Sequence, residues 1–198
     1  MQSFWDQRYS EEGFAYGNQP NVFMAQQLAQ LKPGDALFPA EGEGRNAVYA
    51  AAMGWKAMAY DSSVEGKKKA LQLAKQKEVP LTYISASHEQ FPFEEASADL
   101  VVLIFVHVPL AQRGLLHQNC WKALRPGGHL LLEGFAKEQL GLSSGGPQDA
   151  SMLFSLDELK NDFPAAEFLV AESGTTTLHE GPYHEGRAET VRLLAKKN

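Results

Sequence analysis

Between Ala36 and Asn46 the chain reads Ala-Leu-Phe-Pro-Ala-Glu-Gly-Glu-Gly-Arg-Asn, and this stretch constrains the fold more than any other. An apolar run breaks at Pro39, passes through Gly42 and Gly44, and enters a helical pattern. It re-emerges as a second apolar run closed by Tyr60-Asp61-Ser62. A strand-turn-helix-strand unit of this kind grips a nucleoside. Glycine has no Cβ and adopts positive φ at no steric cost, so Gly42 and Gly44 read as ligand-facing turn positions. Asp61 lies 19 residues beyond Gly42. That is close to the roughly 20-residue spacing at which an acid ending the second strand accepts hydrogen bonds from a ribose diol. The full G-x-G-x-x-G form is absent, because Ala40 and Ala47 stand where its first and third glycines belong. Read alone, the segment leaves open a nucleotide-like cofactor and an ordinary strand-helix turn.

The elements around this unit alternate. Val22, Phe23, Ala25, Leu28 and Leu31 recur at helical spacing until Pro33-Gly34 ends the pattern. Strand-like runs follow at 35–40, 56–60, 81–85, 99–105 and 129–135, with helical patterns at about 45–53, 64–78 and 110–124. Alternating βα units imply a parallel sheet covered on both faces, a three-layer doubly wound α/β architecture. The near-continuous apolar run Asp99–Phe105 suits a buried central strand. Ser155 with Glu158 three residues on has the capping-box form and opens a helix. The runs 167–172 and 188–195 have no helical pattern between them and are expected to form an antiparallel hairpin at a sheet edge.

Composition narrows the partners. At 198 residues with 44% hydrophobic and 21% charged residues, the chain is expected to be a single domain. Its parts are an N-terminal lid and helix (1–32), a cofactor-binding half (33–135) and an acceptor-side half (136–198). No apolar run is long enough to span a bilayer, and the N-terminus lacks a signal-peptide pattern, so a cytoplasmic protein with no membrane partner is expected. A net charge of −6 argues against nucleic acid and for a small molecule. The lone Cys120 lies in a helical pattern and reads as a packing residue. In the His179–Glu185 stretch, Gly181-Pro182 breaks the helix that a histidine metal motif requires, so no metal is expected. A monomer or homodimer is expected.

Several segments together resemble the class I S-adenosylmethionine-dependent methyltransferases, and within them the small tellurite-resistance and thiopurine-methyltransferase-like group. They are Trp5-Asp-Gln-Arg-Tyr9, Tyr16-Gly-Asn-Gln-Pro-Asn21, Pro39 to Asn46, Asp61, Phe91-Pro-Phe93, Asp99-Leu-Val-Val and Leu124-Arg-Pro-Gly-Gly128. The resemblance covers almost the whole chain. It implies a Rossmann-like seven-stranded sheet of order 3-2-1-4-5-7-6 with strand 7 antiparallel. It also implies an S-adenosyl-L-methionine cofactor, released as S-adenosyl-L-homocysteine, and a small-molecule methyl acceptor. Three departures stand out: Phe38 where the group carries an acid, Ala40 where it carries a glycine, and Ser87 where an acid commonly meets the adenine amino group.

The resemblance assigns Pro39, Ala40, Glu41, Gly42 and Gly44 to the cofactor loop, with Asp61 and Ser62 at the ribose. Ser87, His88 and Phe105 are expected around the rest of the cofactor. Asn46 is a candidate for the methionine carboxylate or a helix cap, and Arg8 is a second candidate for that carboxylate. Trp5, Tyr9, Phe14 and Tyr16 are expected to form a lid, with Tyr16 touching substrate. His107 follows the fourth strand, where open α/β sheets place ligands, and is a candidate general base together with His184. Phe135, Glu180 and Tyr183 are candidate acceptor contacts. His117 and His129 are assigned to helix surface and strand packing. Two other classes stay open: a catalytically silent cofactor-binding module, and an NAD-binding protein.

Overall fold

The computed structural model describes residues 2–198 and contains a seven-stranded sheet of order β3-β2-β1-β4-β5-β7-β6. The chain divides into two compact units, Met1–Pro92 with Glu180–Pro182, and Phe93–His179 with Tyr183–Asn198.

The first unit holds α1 (Gln2–Ser10), α2 (Val22–Leu28), β1 (Asp35–Pro39), α3 (Arg45–Ala52), β2 (Lys56–Asp61), α4 (Val64–Gln76) and β3 (Thr82–Ser85). The three strands run parallel, with Leu37 beside Met58 and Met58 beside Thr82. Asn21 starts α2 by accepting the Met24 amide at 2.8 Å, and Ser63 starts α4 by accepting the Gly66 amide at 3.0 Å. The buried stripe of α4 is Gly66, Ala70, Leu73 and Ala74, at the 4-7-8 spacing that faces one side of a helix. Its small residues let α3 come close: a Cβ on Gly44 would stand 2.5 Å from the Ala70 Cβ. Gly44 is therefore a helix-packing glycine, which corrects its expected ligand-facing role.

Helix α1 has no apolar periodicity and was not expected as a helix. Tertiary contacts hold it instead. Trp5 stacks on Tyr9 at 5.4 Å. Asp6 Oδ1 accepts from the Ser63 hydroxyl at 2.6 Å and the Val64 amide at 2.9 Å. A carboxylate at the N-terminus of α4 meets the positive end of that helix dipole.

The second unit holds β4 (Ala98–Ile104), α5 (Leu110–Ala123), β5 (Leu124–Phe135), α6 (Leu156–Asp162), β6 (Ala166–His179) and β7 (Glu185–Lys197). β4 and β5 run parallel, and β7 lies antiparallel to both β5 and β6. The expected hairpin is present and longer than its apolar runs indicate. The capping box forms as expected: Ser155 accepts the Glu158 amide, and Glu158 accepts the Ser155 amide. Cys120 is fully buried on α5. His117 corrects its expected surface place, being 2% exposed with Nδ1 2.8 Å from Asp162 Oδ2. Arg113 reaches the same carboxylate at 3.3 Å.

Candidate cofactor and acceptor sites

In the first unit, β1 ends at Pro39 and the chain turns sharply through Ala40 to Gly44 into α3. Ala40 adopts φ +49°, a left-handed conformation that costs an L-residue about 1 kcal/mol, which is why glycine suits this position. Gly42 has φ +60°. Its amide donates to Asp61 Oδ2 at 3.1 Å, and its carbonyl accepts from the Tyr83 hydroxyl at 2.6 Å. The Ser63 amide donates to Asp61 Oδ1 at 2.8 Å. The acid at the end of β2 is thus oriented from both sides, and a carboxylate has about four lone-pair sites, so a ribose diol can still be accepted. Burial raises the Asp61 carboxyl above its ordinary range, against the Ser63, Gly42 and Ser62 amides that lower it.

Glu41 caps α3. Its Oε1 accepts from the Asn46 and Ala47 amides, each at 2.8 Å. Burial pushes its carboxyl up to about 7, against those amides and the Arg45 charge. Glu43 braces the N-terminal segment, accepting the Ala15 amide at 2.7 Å and the Lys69 ammonium at 2.8 Å. Asn46 Oδ1 accepts the Asn21 amide at 2.9 Å, which makes Asn46 a link between helix starts.

Three residues carry more of this site than sequence reasoning assigned to them. Tyr9, 5% exposed, lays its ring on Gly42 so closely that a Cβ there would stand 2.5 Å from the hydroxyl. Arg45 forms a buried ion pair with Glu180 at 2.8 Å, and the Asn21 side chain donates to the other Glu180 oxygen at 3.0 Å. Glu180 is thereby tied into the first unit by charge, although it was expected as an acceptor contact. No periodicity marks these three; only the aromatic clustering of the N-terminus hinted at Tyr9. Arg8 donates to the Tyr16 hydroxyl at 3.2 Å. A cavity of about 30 Å³ lies between Tyr9, Tyr16, Gly17, Glu41, Glu43 and Arg45.

Beyond β3, Ser87 begins a turn whose carbonyl accepts the Gln90 and Phe91 amides at 3.1 and 2.9 Å. His88 Nδ1 lies 3.0 Å from the Tyr60 hydroxyl, and Tyr60 stacks on Phe91 at 4.0 Å. Asp61, Ser62, Ser87 and His88 therefore fall at the carboxyl ends of β2 and β3, where open α/β sheets bind ligands.

In the second unit, Phe105 follows β4 with φ +54°, a strained conformation for a bulky residue. Its ring meets Phe135 at 4.6 Å and His184 edge-on at 4.5 Å. His184, 6% exposed, also stands edge-on to Phe135 at 5.2 Å. The loop containing Gly145 and Gly146 closes over these rings: a Cβ on Gly145 would lie 2.7 Å from both the His184 ring and the Tyr183 carbonyl. Gln139 fixes the loop by donating to Ser144 Oγ and to the Gly145 carbonyl.

His107 is differently placed. Its Nδ1 lies 2.8 Å from the Met152 carbonyl, and its Nε2 accepts the Phe135 amide at 3.0 Å. These partners set the tautomer with the proton on Nδ1, and burial lowers the ring's pKa to about 4. Both nitrogens are engaged, so the ring has no lone pair to offer an acceptor.

Residues 39–132 match the model of the methyltransferase domain family. The crystal structure of TehB from Haemophilus influenzae superposes with a TM-score of 0.76 at 16% identity, covering 100% of this chain and 67% of that one. Magnesium protoporphyrin IX methyltransferase from Synechocystis PCC 6803, solved with S-adenosylhomocysteine, gives 0.71 at 15% identity over 100% and 97%. A Burkholderia thailandensis 1,6-didemethyltoxoflavin N1-methyltransferase, solved with bound 1,6-didemethyltoxoflavin and S-adenosylhomocysteine, gives 0.64 at 17% identity over 89% and 79%. In sequence, 55 residues are 40% identical to the tRNA N(3)-methylcytidine methyltransferase Mettl2 of Drosophila melanogaster, over 27% of this chain and only 17% of that protein. The sheet order and these likenesses give the chain the Rossmann-like fold seen in solved methyltransferases, and residues 39–132, just under half of the chain, carry the match to the methyltransferase domain.

Proposed function

We propose that the protein transfers a methyl group from S-adenosyl-L-methionine to a small-molecule nucleophile. The observation that carries this reading is the Gly42 amide bound to the Asp61 carboxylate, which joins the close-approach turn to the ribose acid in one motif. When bound, S-adenosylmethionine supplies a methyl group on a sulfonium, an electrophile with a good leaving group. The protein's work is then to bind, to orient and to exclude water, contributions that reach about 7–11 kcal/mol in favourable cases.

In the proposal, Asp61 and Ser62 hold the ribose, and the turn Pro39–Gly42 gives the backbone approach. Ser87 and His88 face the base. A serine hydroxyl replaces a carboxylate there with a weaker hydrogen bond. Phe105, Phe135, Tyr183 and His184 form an aromatic wall for the acceptor. His107 fixes that wall by holding the Phe135 backbone and the Met152 carbonyl, and it does not move a proton. His184 is the general-base candidate for an acceptor protonated at neutral pH, such as a phenol or amine; a thiolate needs none. The net charge of −6 supports a small acceptor over a nucleic acid.

A silent cofactor-binding module is the second reading, favoured by Tyr9 packed on Gly42 beside a cavity of only about 30 Å³. Calorimetric titration with S-adenosylmethionine and S-adenosylhomocysteine, with NADH as control, tests the cofactor. Methyl-transfer assays with thiols, chalcogen oxyanions, phenols, amines and tRNA then test turnover. Micromolar binding and turnover of a small acceptor are expected. Absence of binding overturns the reading, turnover of tRNA alone overturns the acceptor class, and binding without any turnover selects the silent module.

A further inference from the structure

Strand β6 ends the sheet order, so it pairs with β7 on one side and turns its other edge outward. Such an edge is a row of backbone donors and acceptors, which natural sheets blunt with charge, proline or a bulge. The start of β6 is blunted in this way: Glu167 is exposed, and the register shifts between Phe168 and Val170. From Ser173 to Leu178 the chain reads Ser-Gly-Thr-Thr-Thr-Leu, with no charge, no proline and no bulge. Ser173, Gly174, Thr175 and Thr177 are exposed. Among the described residues, β7 alone supplies backbone partners to 167–179. Gly174 is the odd residue of this segment. It takes an ordinary strand conformation rather than a positive φ, and a Cβ there would meet nothing within 4 Å. Neither a turn nor a neighbour inside the chain calls for glycine, although glycine weakens a strand interior. A strand glycine otherwise marks the close approach of another backbone.

We propose that this edge pairs with the same edge of a second copy, antiparallel and about a two-fold axis at Gly174. An antiparallel pair related by a two-fold axis sets one residue opposite itself, and that choice fixes every other pair. With Gly174 on the axis, Ser173 faces Thr175, Glu172 faces Thr176 and Val170 faces Leu178. Hydroxyl then meets hydroxyl, and apolar meets apolar. The acid arrives beside a cation, because Arg192 Nη2 lies 3.5 Å from the Thr176 hydroxyl that Glu172 of the second copy would face. Arg192 Nη1 is 3.8 Å from Glu172 of its own chain, so the pairing alternates two arginines with two glutamates. An axis at Thr175 would instead set Glu172 against Leu178. One strand pair is small beside the roughly 1,200–2,000 Å² of a stable interface, so the dimer is reversible, with a micromolar or weaker Kd.

Sedimentation velocity of the full chain, from micromolar to sub-millimolar concentration, tests the pairing. Wild-type protein is expected to pass from monomer to dimer across that range. Gly174→Lys brings two ammonium groups face to face on the axis and should weaken the dimer at least about tenfold. The open space at the Gly174 Cβ lets this variant fold, which circular dichroism checks. Cysteine pairs then read the register. Two Cα atoms on the axis stand about 4.5–5.5 Å apart, within disulfide reach, whereas the two Glu172 positions stand about 14 Å apart. Oxidised Gly174→Cys is therefore expected to run as a covalent dimer and Glu172→Cys as a monomer; Cys120 is fully buried and does not compete. Wild-type protein that stays monomeric throughout overturns the proposal, and so does a dimer that Gly174→Lys leaves unweakened. A covalent dimer from Glu172→Cys but not from Gly174→Cys overturns the axis, and growth beyond a dimer overturns the closed two-fold pairing. None of these readouts depends on the proposed methyl transfer.

Discussion

Replacing Gly42 by alanine sets two effects against each other, and a second substitution separates them. The first is conformational: φ is +60° at this residue, and an alanine held there loses about 1 kcal/mol. The second is steric, because the new Cβ would stand 2.5 Å from the Tyr9 hydroxyl and 2.9 Å from its Cζ, closer than real contacts allow. Tyr9 must then leave a site where it is 5% exposed, forfeiting on the order of 1.5–3 kcal/mol of aromatic burial. Gly42→Ala is therefore expected to destabilise by about 2–4 kcal/mol in the wild-type background and by only about 1 kcal/mol in Tyr9→Ala. For a chain of this size each kcal/mol lowers Tm by roughly 2–4 °C, so the two backgrounds are well resolved. Urea titration of the four proteins measures the cycle. Trp5, stacked on Tyr9 at 5.4 Å, supplies a local fluorescence signal for the ring's displacement. Equal cost of Gly42→Ala in both backgrounds would refute the claim that α1 is clamped on the turn through Tyr9.

Other perturbations test separate parts of the site. Burial raises Glu41 to about 7, so its protonated form is the one the fold favours, and wild-type protein should lose about 2–3 kcal/mol relative to Glu41→Gln as pH rises from about 4.5 to 7. Parallel stability curves for the two proteins would contradict this. His107 is shifted the opposite way, to about 4, so its contribution is present above about 6.5 and lost as pH falls toward 4. His107→Ala should cost about 2–4 kcal/mol by leaving the Met152 carbonyl and the Phe135 amide without their partner. Full activity lost with stability unchanged would instead restore His107 as a base. Gly145→Ala, at φ +122° with His184 and the Tyr183 carbonyl 2.7 Å away, should disturb the acceptor wall. It is expected to lower methyl transfer at least tenfold while calorimetric affinity for S-adenosylmethionine stays within twofold.

What the sequence made legible followed periodicity. The seven strands, α2 to α6 and the Ser155 capping box lay where apolar spacing and turn residues put them, because each signal is local, whereas the strand order followed only from the resemblance. Helix α1 was not legible, since its stability comes from Asp6 on the start of α4 and Tyr9 on Gly42, contacts made more than 30 residues away along the chain. Charge hid a second group. Glu180 reads as a polar loop residue until the fold brings Arg45 to it, 135 residues earlier, and His117 reads as surface until Asp162 meets it. His107 shows the limit from the other side: its position after β4 predicts chemistry, while the Met152 carbonyl and the Phe135 amide decide its tautomer and remove its lone pair. The glycines divide in the same way. Gly42 and Gly44 are equivalent in the motif, yet one meets an aromatic ring from α1 and the other meets Ala70 of α4. A glycine in such a turn thus marks a close approach without saying what approaches. Here Gly44 serves the approach of two helices, and Gly42 lies under a side chain that a ligand must displace to reach it.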